Sequence, residues 1–211
     1  MKSRHFLEID NLSVEFRTRN GIISALKKVS LHIDKGEVMG IVGESGSGKS
    51  VTAYSIIGLL DRAGFATSGR AVFDGIPLSE AEEPLLRDLR GREISMIFQE
   101  PMTSLNPLHK IGTQVSEMLV LDGKITRQGA GSRVRELFDL VGLDQSVRID
   151  AYPHELSGGQ RQRVMIAMAL AQEPKLLIAD EPTTARDVTI QKQILDLLKD
   201  IQKKLNMSLL L

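Results

Sequence analysis

Eight consecutive residues have the types and the spacing of a loop that holds phosphate groups. The segment Gly43-Glu44-Ser45-Gly46-Ser47-Gly48-Lys49-Ser50 matches the pattern G-x-x-x-x-G-K-[ST]. Its glycines allow successive backbone N–H groups to point at phosphate oxygens, and Lys49 adds a mobile positive charge. The Ser50 hydroxyl is suited to Mg²⁺ that bridges the β- and γ-phosphates of a nucleotide. A flexible Gly/Ser turn is the alternative interpretation.

The residues on either side of this segment argue against a simple turn. The continuous apolar run Val38-Met39-Gly40-Ile41-Val42 predicts a strand that is buried on both faces. After the loop, apolar residues recur at helical spacing and predict a helix that begins near Lys49 and buries one face: Ala53, Ile56, Ile57 and Leu60. The positive end of that helix dipole would point at the same anion. Strand, loop and helix is the context that a phosphate loop requires.

Two carboxylates follow a second apolar run. Leu176 to Ala179 leads directly into Asp180-Glu181, which places the acidic pair at the carboxyl end of a buried strand, where open α/β sheets bind ligands. Asp180 would hold Mg²⁺, directly or through water, and Glu181 would orient or deprotonate the water that attacks the γ-phosphate. A helix cap or a turn is the alternative interpretation of the pair.

A third segment, Leu156-Ser157-Gly158-Gly159-Gln160, opens a helical run from Arg161 to Gln172. Ser157 and Gln160 have the spacing of a capping box, which predicts a helix start. The two glycines remove side chains that would block the first backbone N–H groups, and this predicts a second anion site. The structural and the functional interpretation are compatible.

The remaining patterns place these segments in an α/β fold. Phe6 to Phe16 and Ile22 to Ile33 alternate like two antiparallel strands, with a turn at Thr18 to Gly21. Helical patterns dominate from about Leu85 to Asp150 and predict a helical insertion. One such pattern is a stripe of apolar residues at helical spacing, followed by Gly142 at the position favoured just beyond a helix end: Val134, Leu137, Phe138 and Val141. A further amphipathic helix opens at Asp187, and Met207 to Leu211 begins another strand. Strands and helices in alternation predict a largely parallel sheet.

Composition excludes several classes of protein. Lys plus Arg and Asp plus Glu both number 27, so we expect no binding of nucleic acid. The chain has no Cys, which excludes disulfides and thiolate metal sites. No apolar run is long enough to span a bilayer, and the N-terminus lacks the apolar stretch of a secretion signal. Membrane contact would therefore go through a partner protein.

Together, Gly43–Ser50, Gln99, Leu156–Gln160 and Leu176–Glu181 resemble the ATP-binding cassette ATPases in order and spacing. The resemblance covers nearly the whole chain. It implies a RecA-like P-loop NTPase fold: a mostly parallel sheet, an N-terminal antiparallel β layer and a helical subdomain. We expect a single cassette over residues 1–211, with the nucleotide-binding core at 1–98 and 160–211 and the helical subdomain at 99–159.

The resemblance also implies roles for single residues. In that family two cassettes sandwich two ATP molecules head to tail, so Ser157 to Gln160 of one cassette would cap the γ-phosphate held by the other. Gln99 would touch Mg²⁺ and the attacking water. Phe16 would stack on adenine, although a core position is an equally good interpretation of a lone Phe there.

Three stretches resemble the oligopeptide and dipeptide import branch of the family, including nickel-type relatives: Gln99–Pro107, Tyr152–Glu155 and Pro182–Ala185. The resemblance implies a peripheral subunit at the cytoplasmic face of the inner membrane, which works with membrane permease subunits and a substrate-binding protein. Met102 to Asn106 is the candidate coupling surface. His154 is interpreted as structural or solvated. Peptide, nickel and glutathione remain open as cargo.

The sequence departs from the family pattern in two ways. All four histidines, His5, His32, His109 and His154, precede Asp180, so none matches the switch histidine, and we expect a cassette cut short at Leu211. Arg186 stands where the family usually has an apolar residue. An alternative function is therefore a nucleotide-binding remnant without effective turnover. A soluble cassette ATPase of DNA repair or translation is a further alternative, which we disfavour because we expect neither the coiled-coil insertions nor the second cassette of that class.

Overall fold

The computed structural model describes residues 5–60, 63–99, 104–121, 125–126, 129–143, 146–182 and 188–211. The chain forms two compact units, Met1–Arg90 together with Met207–Leu211, and Gly91–Asn206. The first unit contains Phe16 and the Gly43–Ser50 loop. The second contains the other candidate site residues. The predicted division into a core and a helical subdomain at 99–159 stays a prediction.

The first unit contains an antiparallel sheet in the order β2-β1-β4-β5. Its strands are β1 (Leu7–Thr18), β2 (Gly21–Ile33), β4 (Gly64–Phe73) and β5 (Ile76–Pro77). The predicted hairpin is confirmed, since Thr18 pairs with Gly21 across the turn. Leu7 and Ile9 of β1 are buried, and beyond a register shift between Ile9 and Leu12 the buried residues are Leu12 and Val14. The irregularity keeps apolar side chains from both halves of the strand in the core of this unit.

The strand before the phosphate loop differs from the prediction. β3 (Val38–Met39) has two residues and pairs in parallel with β8 (Ser208–Leu210). The ladder continues where the Ile41 N–H donates to the Leu211 carbonyl at 2.7 Å. The prediction of a strand buried on both faces over 38–42 is wrong, because Val42 is 94% exposed. Within the described residues β3 pairs only with β8 and forms an edge of its sheet. A strand is buried on both faces only where other elements cover both faces, and the described residues leave Val42 uncovered.

The described part of the first unit also contains two α-helices, α1 (Lys49–Ile56) and α2 (Glu83–Leu89). The predicted apolar face of α1 is confirmed at Ala53, Ile56 and Ile57, which are all buried. The helix ends earlier than the apolar pattern suggested, since Gly58 adopts a left-handed φ of 65° and Leu60 lies beyond it. A 3₁₀ turn at Leu78–Glu80 precedes α2.

In the second unit, two short parallel strands carry the acidic pair and Gln99. They are β6 (Ile94–Ile97) and β7 (Leu176–Ala179), and Ile97 pairs with Ala179. All four residues of β7 are buried, as predicted. β6 is a strand inside the stretch from Leu85 onward where we expected helices. Its residues form a short apolar run, which sequence periodicity cannot separate from a buried helical segment.

The described residues of the second unit include four α-helices: α3 (Ile111–Val120), α4 (Ala130–Leu140), α5 (Gly158–Leu170) and α6 (Val188–Leu205). The predicted stripe of α4 is confirmed, because all four of its residues are buried and Gly142 has a φ of 64°. In α6, Ile194, Leu198 and Ile201 are buried. Asp187, the predicted start of that helix, lies outside the described residues. None of the helices in the described ranges is long and apolar enough to cross a membrane.

Candidate functional site

The Gly43–Ser50 loop closes around its own lysine. Lys49 Nζ donates to the carbonyl of Gly43 at 2.8 Å and to that of Glu44 at 3.0 Å. The Ser47 N–H donates to the Glu44 carbonyl at 3.2 Å, which tightens the turn. These contacts hold the ammonium group against the backbone of the segment that was predicted to bind phosphate.

Gly48 fixes the junction between this loop and α1. It is the N-cap of the helix and has a φ of 95°, which strongly favours glycine. A Cβ at this position would lie 2.6 Å from Leu26 Cδ2 and 3.0 Å from the Ala25 carbonyl oxygen. Since glycine offers no capping side chain, it cannot itself satisfy the first-turn N–H groups of α1, which are the groups that bind anions at helix N-termini.

The acidic pair and Gln99 meet at the carboxyl ends of β6 and β7. Gln99 Nε2 donates to Glu181 Oε2 at 2.5 Å. The Asp180 N–H donates to the Ile97 carbonyl at 3.0 Å, and the Asp180 side chain is buried with 6% of the residue exposed. Glu181 is exposed and has a left-handed φ of 46°, a strained backbone conformation for a non-glycine residue. The arrangement turns one carboxylate inward and directs the other toward Gln99.

The Ser157–Gln160 segment begins α5 with the predicted capping box. The Gln160 N–H donates to Ser157 Oγ at 3.3 Å, and the Ser157 N–H donates to Gln160 Oε1 at 2.8 Å. A Cβ added to Gly158 or to Gly159 would meet nothing within 4 Å among the described residues. The capping interpretation is thus confirmed, and the open space beside both glycines is compatible with an anion site as well.

Phe16 lies against a glycine that sequence reasoning did not single out. It is half-buried in β1 and pairs with Ile23 on one side and Gly64 on the other. A Cβ on Gly64 would lie 2.6 Å from Phe16 Cε1, so the ring occupies the space over that glycine. No spacing rule links the two positions, which are brought together only by the β1–β4 register. The adenine role of Phe16 stays a prediction.

A comparison with protein families decides the identity of the fold. The family model described as "ABC transporter" matches residues 26–184, which include the phosphate loop, Gln99, Ser157–Gln160 and the acidic pair. The chain belongs to the ABC transporter family. Of the ABC structures already solved, the ATP-binding cassette MJ0796, in a dimeric post-hydrolysis state bound to ADP and Pi, is similar with a TM-score of 0.82 and 31% identity, covering 97% of this chain and 86% of that one. The predicted P-loop NTPase fold is therefore confirmed.

ABC proteins of peptide import are among the similar sequences. The oligopeptide transport ATP-binding protein OppD of Bacillus subtilis is 52% identical over 97% of this chain and 58% of its own length. The dipeptide transport ATP-binding protein DppD of Haemophilus influenzae is 50% identical over 97% of this chain and 62% of its own. The chain thus spans about 60% of the length of these two relatives.

The oxygen donors predicted for Mg²⁺ suit an ABC site in which the nucleotide supplies further ligands. They are the Ser50 hydroxyl, the Asp180 carboxylate and the Gln99 side-chain amide. Mg²⁺ prefers oxygen ligands and is usually held by one or two carboxylates together with substrate phosphates and water. Among the described residues no group of three or more His, Asp or Glu side chains forms a metal cage. Each of these side chains has the oxygen chemistry that Mg²⁺ prefers, and their joint role in holding the ion stays a prediction.

Some residues singled out from the sequence lie outside the described part of the chain. They are Met102 and Thr103 of the predicted coupling surface and Arg186. His154 is exposed and stacks on Tyr152 with ring centroids 5.7 Å apart, as expected for a solvated side chain.

Proposed function

We propose that this chain is the ATP-binding subunit of a peptide importer and couples ATP hydrolysis to transport through a membrane permease. The main support for ATP hydrolysis in this proposal is the hydrogen bond from Gln99 to Glu181 at the carboxyl ends of two parallel strands. The cargo class is supported by two relatives that are about 50% identical and are named as oligopeptide and dipeptide transport proteins.

In this proposal the phosphate loop binds the nucleotide through its backbone. Lys49 exchanges its carbonyl partners, Gly43 and Glu44, for phosphate oxygens, and the first-turn N–H groups of α1 contact the same anion. Ser50 and Asp180 would hold Mg²⁺, directly or through water, and the ion would supply positive charge against the phosphates. The burial of Asp180 supports a positioning role that does not require its carboxylate to reach bulk water.

Glu181 receives the proton of the attacking water in this proposal. An exposed carboxylate that accepts a hydrogen bond from Gln99 is oriented for that task, and Gln99 also contacts the water. Phosphoryl transfer depends mainly on positioning and on electrostatic stabilisation, so fixing the carboxylate matters for the rate.

The proposed assembly contains a second ABC subunit, identical or different, whose Ser157–Gln160 segment caps the γ-phosphate. The open space beside Gly158 and Gly159 supports an approach of phosphate to the N-terminus of α5. Integral permease subunits and a substrate-binding protein complete the importer, which places the chain at the cytoplasmic face of the inner membrane.

Two variants test the proposal. Glu181→Gln is expected to abolish phosphate release while Mg·ATP binding persists, and Lys49→Ala is expected to abolish the binding itself. Lys192→Ala, an exposed lysine of α6, serves as the matched control. Isothermal titration and phosphate release, measured on the intact chain, report the two steps separately. Phosphate release that is unaffected by Glu181→Gln would overturn the proposed hydrolysis, whereas ATP binding without any release would identify a nucleotide-binding remnant.

A further inference from the structure

A cleft on the second unit is lined by α4 and by residues of the segment that follows this helix. Its volume is about 550 Å³, within the range of small-molecule sites in proteins. None of its lining residues belongs to the predicted nucleotide site. The apolar part of the lining consists of four side chains that are buried or half-buried: Phe138, Leu143, Val147 and Ile149.

Backbone hydrogen bonds hold both sides of the cleft in place. At the end of α4, the Leu143 N–H donates to the Phe138 carbonyl at 2.9 Å. On the other side, the Ile149 carbonyl accepts from the Gly112 N–H of α3 at 2.9 Å. The Ile149 side chain also occupies the space that a Cβ at Gly112 would need. A cleft that is already ordered loses less entropy when it binds a ligand.

The charged side chains of the cleft differ in their partners. Arg148 and Asp150 satisfy each other, since Arg148 Nε donates to Asp150 Oδ1 at 3.0 Å and Arg148 Nη2 donates to Asp150 Oδ2 at 3.1 Å. Arg135 and Asp139 are exposed at the same cleft. No residue in the described ranges forms a hydrogen bond or an ion pair with either of these two side chains. The cleft therefore offers one guanidinium group and one carboxylate to a ligand.

The spacing of these two groups indicates the size of the ligand. Arg135 and Asp139 lie four residues apart on α4, so they share one face of the helix, with about 5–6 Å between their Cβ atoms. A free amino acid carries its ammonium and its carboxylate on one carbon atom. The termini of an extended dipeptide lie roughly 7 Å apart, because each residue spans about 3.3–3.6 Å. A dipeptide can therefore reach both side chains at once.

We propose that this cleft binds a short peptide with free termini and apolar side chains. Arg135 contacts the terminal carboxylate, Asp139 contacts the terminal ammonium group, and the apolar side chains of the peptide pack against Phe138 and the other apolar lining residues. Such a peptide has no net charge, which matches a cleft whose two arginines balance its two aspartates. The inference goes beyond the proposed function and does not rest on it, because it involves no contact to a nucleotide.

The dipeptide Leu-Leu is the probe for this site. Titration of the intact, isotope-labelled chain with Leu-Leu, followed by NMR, should give saturable shift changes at the backbone amides that line the cleft. Gly-Gly has the same termini but no apolar side chains, and it should bind at least about tenfold more weakly because it buries little apolar surface. Free leucine should bind more weakly than Leu-Leu as well, because it cannot reach both charged side chains.

Each terminus of the peptide can be tested against its own residue. Acetylation of the N-terminus removes the charge that faces Asp139 and should weaken binding about fivefold, the upper range for an exposed ion pair. In Asp139→Asn the same acetylation should have little further effect, because the partner charge is already absent. Amidation of the C-terminus and Arg135→Gln form the corresponding pair for the carboxylate.

Matched controls come from α2, outside the cleft. Arg87→Gln and Asp88→Asn remove an exposed arginine and an exposed aspartate of that helix, and both should leave the affinity for Leu-Leu unchanged. Because Arg135 and Asp139 are exposed, their variants should keep the melting temperature of the unsubstituted chain. A loss of Leu-Leu binding in these variants therefore reports the cleft and not unfolding.

Three results would overturn the inference. These are the absence of saturable shifts at the cleft, equal affinity for Leu-Leu and Gly-Gly or for Leu-Leu and leucine, and losses on acetylation and amidation that persist in Asp139→Asn and Arg135→Gln. Titration with Mg·ATP separates this failure from that of the proposed function. If the chain binds and hydrolyses ATP but shows no cleft-specific binding of Leu-Leu, the peptide site is wrong and the proposed function stands.

Discussion

Gln99 and Glu181 each lie two residues beyond a pair of directly opposed strand residues, Ile97 and Ala179, and their side chains are joined by a hydrogen bond of 2.5 Å. The register of two short parallel strands therefore sets the distance between an amide and a carboxylate that are separated by 82 residues along the chain. The amide donor on one strand end therefore fixes the direction of the Glu181 carboxylate on the neighbouring one.

Removal of the Gln99 amide should affect the chemical step more than nucleotide binding. Gln99→Leu keeps the approximate size of the side chain but loses the donor that orients Glu181. We expect kcat for ATP hydrolysis to fall about 10- to 100-fold, in the range of positioning effects. KM for ATP should change less than kcat, because the predicted contacts to the phosphates come mainly from the Gly43–Ser50 loop. Steady-state kinetics on the intact chain and its partners measure both constants.

Gln99→Glu is the informative companion variant. It replaces the amide donor by a second carboxylate, which repels the Glu181 carboxylate instead of orienting it. We therefore expect kcat to fall further in Gln99→Glu than in Gln99→Leu. Equal kcat values for the two variants would contradict the contact between residues 99 and 181 during turnover.

Sequence patterns were sufficient to predict the elements that are stabilised by contacts between residues close in the chain. The capping box of Ser157 and Gln160 and the buried stripe of α4 depend on neighbours within one or two helical turns, and both were predictable from spacing. The phosphate loop was predictable for the same reason. The identity of Gln99 as a site residue came from the family resemblance, since a lone glutamine has no signature of its own.

Elements that depend on distant partners were predicted poorly. β4 was not foreseen, because residues 66–70 are exposed and polar or small and show no alternation. The exposure of Val42 was not foreseen either, since the burial of an apolar segment depends on which elements of the folded chain cover it. Nothing in the sequence indicated that the buried Gln114 side chain would bind the preceding loop. Its Nε2 group donates to the carbonyls of Asn106 and His109, and these contacts form only once that loop folds back onto α3.

The role of Phe16 can be decided by comparing binding with stability. If the ring stacks on adenine, Phe16→Ala should weaken ATP binding about tenfold, which corresponds to the 1–3 kcal/mol typical of stacking on a base. Gly64→Ala should act in the same direction, because its methyl group would come within 2.6 Å of the ring and displace it. Isothermal titration with ATP measures the first effect. A lowered melting temperature with unchanged ATP affinity would instead assign Phe16 to the core.

Arg90 stabilises the end of α1 that lies opposite the phosphate loop. Its Nε donates to the Ile57 carbonyl at 2.7 Å, one terminal nitrogen donates to the Gly58 carbonyl at 2.9 Å, and the other contacts Glu83 Oε1 at 2.6 Å. A cation at a helix C-terminus interacts favourably with the helix dipole. Arg90→Met should lower the free energy of unfolding by about 2 kcal/mol, since two carbonyls lose charged donors.

Urea denaturation measures this loss, with Arg92→Met as an exposed arginine control. Arg90→Lys should recover only part of the stability, because an ammonium group cannot reproduce the planar fork that reaches both carbonyls and Glu83. Equal stability of the lysine variant and the unsubstituted chain would show that only the charge of Arg90 matters.

The Glu83–Arg90 contact also predicts a pH dependence. The hydrogen bond from Arg90 lowers the pKa of Glu83 below its ordinary value. A carboxyl whose pKa is lower in the folded state contributes stability above its unfolded pKa, and this contribution is lost as the pH falls through the folded value. The stability difference between Glu83→Gln and the unsubstituted chain should therefore be largest near neutral pH and shrink below about pH 4, the region of an ordinary glutamate. Because Glu83 is exposed, salt should reduce the difference at neutral pH as well. Urea titrations at several pH values check both trends, and a difference that grows on acidification would contradict the assignment.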